Sequence, residues 1–170
     1  MGRAPGARWL WLSLAVVAAD RATKFAIERY TSESFRHPII SDIVVLVHNR
    51  NSGIAFGFFS ESNAPWLSPL LLLGSAVVIA FLVWLLATSR AGASLAQCGL
   101  SLIIGGAAGN AFDRLIHGGV TDFLDVRLGT YHWPAFNAAD SAISIGAVLV
   151  LIEWFFPGRE RSNSAEQPRA

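Results

Sequence analysis

The sequence predicts a membrane α-helical protein, a bundle of four transmembrane helices with a small extracytoplasmic β-rich segment. Of its 170 residues, 53% are hydrophobic and only 15% are charged. Charged residues make up about a quarter of a typical soluble domain. The mean hydropathy is +0.46, and long apolar runs recur along the chain. We therefore expect one membrane-embedded domain over residues 1–170.

Two segments are predicted spans by length and composition. A helix that crosses the hydrocarbon layer needs about 20 mostly apolar residues. Residues 66–87 and 91–112 meet this requirement and contain no charged side chain. The second segment carries Gly105 and Gly109 at a Gly-x-x-x-Gly spacing, which lets another helix approach closely. The first interpretation of these glycines is helix packing.

Two further predicted spans contain charged residues. The span 138–156 has one acid near each end, and the span 9–30 is interrupted by Asp20, Arg21 and Lys24. Asp20 and Lys24 are four residues apart and share a helix face, so we expect them to pair. The beginning of the chain also fits a second interpretation. Basic residues followed by an apolar run and the small residues of 17–19 are typical of a cleavable signal peptide.

The topology follows from the loops. The connection between the second and third predicted spans is very short, and four spans place both termini on one side of the membrane. Arginines near both termini and in this short loop favour the cytoplasmic side for them. Residues 31–65 and 113–137 then form the extracytoplasmic segments, and residues 159–170 a disordered tail. β-Branched runs at 39–40 and 43–47 predict a short sheet or hairpin in the first segment.

Four acids stand where a bilayer disfavours charge: Asp20, Asp113, Asp122 and Asp140. A charged residue at the centre of a spanning helix costs about 2.5 to 3.5 kcal/mol on insertion scales. On the predicted topology all four lie toward the extracytoplasmic face at a similar depth. We therefore expect them to converge.

Asp122 and Asp140 are the predicted catalytic pair. Asn137 is a good N-cap residue, and Asp140 follows at the third position of the predicted helix. Asp122 lies in a predicted loop among apolar neighbours, where desolvation should raise its pKa. Two neighbouring carboxyls share a proton, which provides one acid and one base for hydrolysis. The alternative is structural: Asp140 supports the cap and Asp122 is a solvated loop acid.

Other function classes are weighed against this pair. The sequence has no His-Glu-x-x-His zinc motif, and we expect no metal and no cofactor. A net charge of +1 gives no electrostatic support for a nucleic-acid partner. A small proton-coupled transporter and a membrane scaffold protein are the alternatives. However, acids gathered on one side make no path across the bilayer, and a scaffold gives no reason for the two carboxyls to meet.

Four ordered motifs resemble the lipoprotein signal peptidase, or signal peptidase II, family of bacterial aspartic peptidases. Residues 20–24 resemble its Asp-x-x-Thr-Lys, and 51–59 its Asn-x-Gly-x-Ala-Phe stretch. Residues 105–123 resemble its Gly-Asn-x-x-Asp-Arg and Val-x-Asp-Phe block, and 136–141 its Phe-Asn-x-Ala-Asp-Ser block. The sequence departs from the family at Arg21, often an uncharged polar residue there, and at Thr121, commonly apolar.

The resemblance implies an enzyme of the bacterial inner membrane that cuts diacylglyceryl-modified prolipoproteins before the lipidated cysteine. Its active site faces the extracytoplasmic side, and its partners are this substrate and membrane lipid. We expect a monomer. By resemblance, Asp122 and Asp140 are catalytic. The residues expected to bind substrate or support the site are Asp20, Lys24, Asn51, Gly109, Asn110, Asp113, Arg114 and Asn137.

Overall fold

Four long helices and a four-stranded sheet make up the fold. The structure, a computed structural model, describes residues 6–41, 43–53, 66–88 and 90–156. The predicted tail 159–170 and most of the motif at 51–59 lie outside these residues. The elements in chain order are α1 (Leu10–Tyr30), β1 (Arg36–Ile40), β2 (Val44–Asn51), α2 (Leu67–Ala87), α3 (Ser94–His117), β3 (Val120–Leu128), β4 (Tyr131–Phe136) and α4 (Ala138–Phe155).

Helix α3 is the centre of the bundle, and α1, α2 and α4 all pack against it. Small residues make this packing possible. A Cβ added at Gly105 would lie 2.7 Å from the carbonyl oxygen of Ser13 on α1, and one at Gly106 would collide with the carbonyl oxygen of Ala139 on α4. The prediction that these glycines serve close helix packing is confirmed.

Three helices in the described part of the chain, α2, α3 and α4, are long and apolar enough to cross a membrane. Helix α1 has 21 residues, but its second half carries several charged side chains. It runs without interruption through residues 17–19, the cleavage site that a signal peptide would need. The predicted span 91–112 corresponds to a helix that begins at Ser94 and continues to His117.

The strands form one antiparallel sheet in the order β1-β2-β3-β4. The predicted hairpin of β-branched residues is confirmed as β1 and β2. Strands β3 and β4 lie in the segment 113–137, so the loop predicted around Asp122 is wrong. Residues 120–123 are buried on both faces of the sheet, so they lack the apolar-polar alternation that identifies a half-exposed strand.

Candidate active site

Asn137 and Asp140 begin helix α4 as a capping box. The Asn137 side-chain oxygen accepts a hydrogen bond from the Asp140 backbone N–H at 3.0 Å, and the Asn137 backbone N–H donates to Asp140 Oδ2 at 3.2 Å. These contacts satisfy two of the backbone N–H groups that a helix start leaves unpaired. The predicted N-cap is confirmed, and the cap fixes the direction of the Asp140 carboxyl.

Asp122 lies on strand β3 and not in a loop. It pairs with Asn49 of β2, and only 2% of its surface is exposed. Asn51 Nδ2 donates to Asp122 Oδ2 at 3.1 Å, and Asn137 Nδ2 donates to Asp122 Oδ1 at 2.7 Å. The strand pairing therefore carries the carboxyl to the start of α4, where Asp140 lies.

A third amide completes the hydrogen bonds around the two carboxyls. Asn110 of α3 donates from Nδ2 to Asp140 Oδ1 at 2.8 Å, and its Oδ1 accepts from Asn137 Nδ2 at 3.3 Å. Lys24 Nζ donates to the same Asn110 oxygen at 2.9 Å. Because Lys24 can only donate, its contact sets the orientation of the Asn110 amide and directs Nδ2 toward Asp140.

The three asparagines expected to bind substrate or support the site, Asn51, Asn110 and Asn137, all contact the two acids. Each of them donates a hydrogen bond to Asp122 or Asp140. The amides therefore orient the acids, because a buried carboxylate needs hydrogen-bond donors to offset its lost hydration.

The surroundings of Asp122 favour its protonated form. Burial raises the pKa of Asp122, and the nearby Asp140 carboxyl raises it further. The hydrogen bonds from Asn51 and Asn137 act in the opposite direction without cancelling the rise, so the pKa of Asp122 reaches about 7. The desolvation expected from its apolar neighbours is thus the main cause.

Behind the amides lies a buried group of charges. Lys24 Nζ is 2.8 Å from Asp20 Oδ2 and 2.9 Å from Asp113 Oδ2, and all three side chains are fully buried. The predicted pair of Asp20 and Lys24 is confirmed. Asp20 Oδ1 also accepts from the Ala139 backbone N–H at 3.0 Å, so this group ties α1 to the first turn of α4.

Gly109 provides the space for this group. A Cβ at this position would lie 2.5 Å from Asp20 Oδ2. The predicted supporting role of Gly109 therefore has a steric basis, because any side chain here would displace the Asp20 carboxylate.

Asp113 and Arg114 have separate partners. Asp113 pairs with Arg21 and Lys24. Arg114 donates from Nη2 to the Gly53 carbonyl at 2.9 Å and from Nη1 to the Asn110 carbonyl at 3.4 Å. Successive residues on a helix point in different directions, and for this reason the two neighbours reach different elements.

Glu28 is a residue that the sequence did not single out, and it connects the two positions that depart from the family pattern. Arg21 Nη2 lies 3.4 Å from Glu28 Oε2, and Thr121 Oγ1 donates to Glu28 Oε1 at 2.7 Å. Arg21 and the Thr121 backbone N–H also share Asp113 as an acceptor. The only available signal was the seven-residue spacing of Arg21 and Glu28 on one helix face.

One group among the described residues has the composition of a metal site. Ligand atoms of Glu28, Asp113 and His117 lie within 4.8 Å of one another. Both carboxylates already contact Arg21, whose guanidinium supplies the positive charge that an ion would bring. We therefore assign the two carboxylates to the ion-pair network.

The two predicted catalytic acids line one cavity of about 570 Å³. Its other walls come from apolar side chains of α2 and α4, such as Leu71, Ile143 and Ile145, and from Trp133 and Phe136 of β4. Asn51, Asn110 and Arg114 also reach this cavity. The arrangement combines two neighbouring carboxyls with an apolar cavity wall, the composition typical of a ligand-binding site.

Comparison with known protein families agrees with this geometry. A family profile described as signal peptidase (SPase) II matches residues 12–156. The chain belongs to the signal peptidase II family. This match includes α1, so the first helix is part of the family domain.

Individual relatives extend over nearly the whole chain. The lipoprotein signal peptidase of Solibacter usitatus is 38% identical over 161 residues, which cover 94% of this chain and 98% of the relative. That of Burkholderia cenocepacia is 44% identical over 150 residues, covering 86% and 87%.

Solved structures share the fold. A bacterial membrane enzyme determined by the in meso method at 2.3 Å resolution has a TM-score of 0.77 and 26% identity, over 96% of this chain and 94% of that chain. A second, determined at 1.9 Å, has a TM-score of 0.78 and 24% identity, over 89% and 94%. Together with the apolar helices, family membership identifies the chain as a multi-pass membrane protein and a protease.

Proposed function

We propose that this signal peptidase II family member is an aspartic endopeptidase that removes the signal peptide from diacylglyceryl-modified prolipoproteins, cutting before the lipidated cysteine. Asp122 and Asp140 are the proposed catalytic dyad. One observation carries the assignment: Asn137 binds both carboxyls, through its side chain to Asp122 and its backbone N–H to Asp140. The names of the relatives support the substrate class.

The proposed chemistry needs one protonated and one ionised carboxyl. Asp122, with a pKa of about 7, holds the proton and donates it to the scissile carbonyl oxygen. Asp140 accepts a proton from the attacking water. When the tetrahedral intermediate breaks, Asp140 gives this proton to the cysteine nitrogen, which leaves as an amine, and Asp122 regains its proton as the carbonyl group forms again. The two carboxyls supply both the acid and the base, so the proposed reaction requires no metal or cofactor.

The proposed topology counts α1 as a fourth membrane span. Its charged side chains Asp20 and Lys24 are fully buried, and Arg21 contacts Asp113 and the Phe112 ring. Pairing of this kind lowers the cost of charge at membrane depth. Both termini then lie in the cytoplasm, and the dyad faces the extracytoplasmic side of the bacterial inner membrane.

The apolar cavity supports lateral entry of the substrate from the bilayer. Residues of α2 and α4 that line it, such as Leu71 and Ile145, leave the acyl chains of a lipidated cysteine in an apolar environment while the scissile bond reaches the dyad. All the proposed site residues belong to one chain, so a monomer suffices. The acids gather at one end of the bundle, which argues against a proton-coupled transporter.

The test is cleavage of a purified, lipidated prolipoprotein beside its unlipidated form. The wild-type protein should cleave only the lipidated form. Asp122→Asn and Asp140→Asn should each abolish cleavage, while Glu153→Gln on the same helix as Asp140 should retain it. Cleavage by either dyad variant would contradict the assignment. Loss of cleavage supports it when the variant elutes and unfolds like the wild type.

A further inference from the structure

A second cavity lies on the sheet side of Asp122. It has a volume of about 440 Å³, and we call it the polar chamber. The residues that line it include Arg36, His48, Asn51, Asp122, Asp125 and His132. Asp122 and Asn51 also line the apolar cavity. The two cavities therefore adjoin the same carboxyl from different directions.

Charged and polar groups on the chamber wall are held in place. Asp125 is 4% exposed and lies 2.8 Å from Arg36 Nη2 and 2.6 Å from His132 Nε2. Burial alone would raise the pKa of Asp125, but the hydrogen bonds from Arg36 and His132 outweigh it, and the pKa is lowered. Both partners are about half exposed, at 52% and 54% of their side-chain surface, and remain available to a ligand.

His48 adds an unused hydrogen-bonding group to the same wall. It is 6% exposed, and its Nδ1 lies 3.0 Å from Thr31 Oγ1. Its Nε2 has no hydrogen-bond partner among the residues that the structure describes. A buried polar atom without a partner costs free energy, and the side chain that carries this atom lines the chamber.

We propose that the polar chamber binds the first residues of the polypeptide that follow the lipidated cysteine and that it distinguishes substrates by their charge. This inference rests on the proposed function. A peptide cleaved at Asp122 and Asp140 must continue on both sides of the dyad. The apolar cavity suits the signal peptide and the acyl chains, whereas a polar segment entering it would lose its hydration. The chamber is the polar space that adjoins the same carboxyl.

Position 34 offers a test by charge exchange. Ser34 is exposed and lines the chamber, while Thr130, in the turn between β3 and β4, is also exposed but does not line it. We would introduce Glu and Lys separately at each position. Two lipidated substrates would differ only in the two residues after the cysteine, Asp-Asp or Lys-Lys. A third would end in an amide directly after the lipidated cysteine.

The expected result is a reversal of preference. Ser34→Lys should raise the ratio of kcat/KM for the Asp-Asp substrate over the Lys-Lys substrate by about fivefold, and Ser34→Glu should lower it by about the same factor, as unit charges at close range in water predict. The Thr130 variants should leave the ratio near its wild-type value. Equal ratios in the Ser34 and Thr130 variants would overturn the proposal.

A second measurement needs no variant. Wild-type kcat/KM should rise about tenfold when three residues are added beyond the cysteine amide, because the added residues bind the chamber. No gain would also overturn the proposal. If the short substrate is cleaved by the wild type and not by Asp122→Asn, the proposed function stands whatever the chamber does. If no lipidated substrate is cleaved, the proposed function itself fails.

Discussion

The Asn137 side chain donates a 2.7 Å hydrogen bond to Asp122 while it also caps the helix that carries Asp140. One amide thus makes two different contacts. Its oxygen caps the start of the helix, and its nitrogen orients a carboxyl on a neighbouring strand. Stability and activity at this position therefore depend on different atoms of one side chain.

Substitution of Asn137 should separate these two contacts. Asn137→Ser keeps an oxygen for the cap but removes the donor to Asp122, whereas Asn137→Ala removes both. We expect both variants to lose most activity, and Ala to cost about 1 kcal/mol more stability than Ser because of the lost cap. Thermal unfolding in detergent and turnover of a lipidated substrate measure the two effects. Full activity in Asn137→Ser would contradict the proposed role of its amide.

Lys24 should be required for stability. Lys24→Met leaves the Asp20 and Asp113 carboxylates buried without their shared cation, and losing one partner of a buried ion pair costs about 3 to 5 kcal/mol. Arg50→Gln is the matched control, since its 3.7 Å pair with Glu33 is partly exposed. Pairs of that kind contribute about 0 to 1 kcal/mol. Equal losses in the two variants, measured by denaturation, would refute the prediction.

Activity should depend on pH through Asp122. With a pKa of about 7, the protonated form dominates below that pH, so kcat/KM should fall as the pH rises through it. Asn51 favours the ionised form by its hydrogen bond. Removing that bond in Asn51→Ala should raise the pKa and move the descending limb to higher pH.

The matched control for this pH shift is Asn49→Ala. Asn49 is an exposed amide two residues away on the same strand, and the profile of its variant should keep the wild-type limb. If the descending limb moves to lower pH in Asn51→Ala, the hydrogen bond from Asn51 does not lower the pKa of Asp122 and the prediction is wrong.

Gly109 should tolerate no side chain. In Gly109→Ala the new Cβ would lie 2.5 Å from Asp20 Oδ2, so we expect reduced stability and reduced turnover together. Gly74→Ala on α2 is the control, because nothing lies within 4 Å of its added Cβ. In a helix interior that change favours stability by up to about 1 kcal/mol. Wild-type behaviour of Gly109→Ala would exclude the steric role.

Local signals were sufficient for much of the fold and part of the site. Asn137 and Asp140 are three residues apart and form the predicted capping box. Asp20 and Lys24 are four apart and form the predicted ion pair. Both contacts depend on helical geometry over a single turn, so the spacing of the residues in the sequence is enough to predict them.

Contacts between distant segments were not predictable in this way. Thr121 contacts Glu28, which is 93 positions away in the chain. Asp122 is brought close to Asp140 through the pairing of β3 with β2. Its strand lacks the usual alternation because both faces are buried. The sequence predicted that the three asparagines lie near the acids. It did not predict that their side chains donate to the two carboxyls, because an amide can turn toward either a substrate or a neighbouring carboxyl.

Composition and short-range spacing were enough to predict the apolar helices, the first hairpin, the helix cap and the residue types of the proposed catalytic pair. The folded structure was needed to show that β3 is a strand, that the amides hold the two acids, and that Lys24 orients Asn110. Those contacts join elements far apart in the chain, and their partners exist only after the helices have packed.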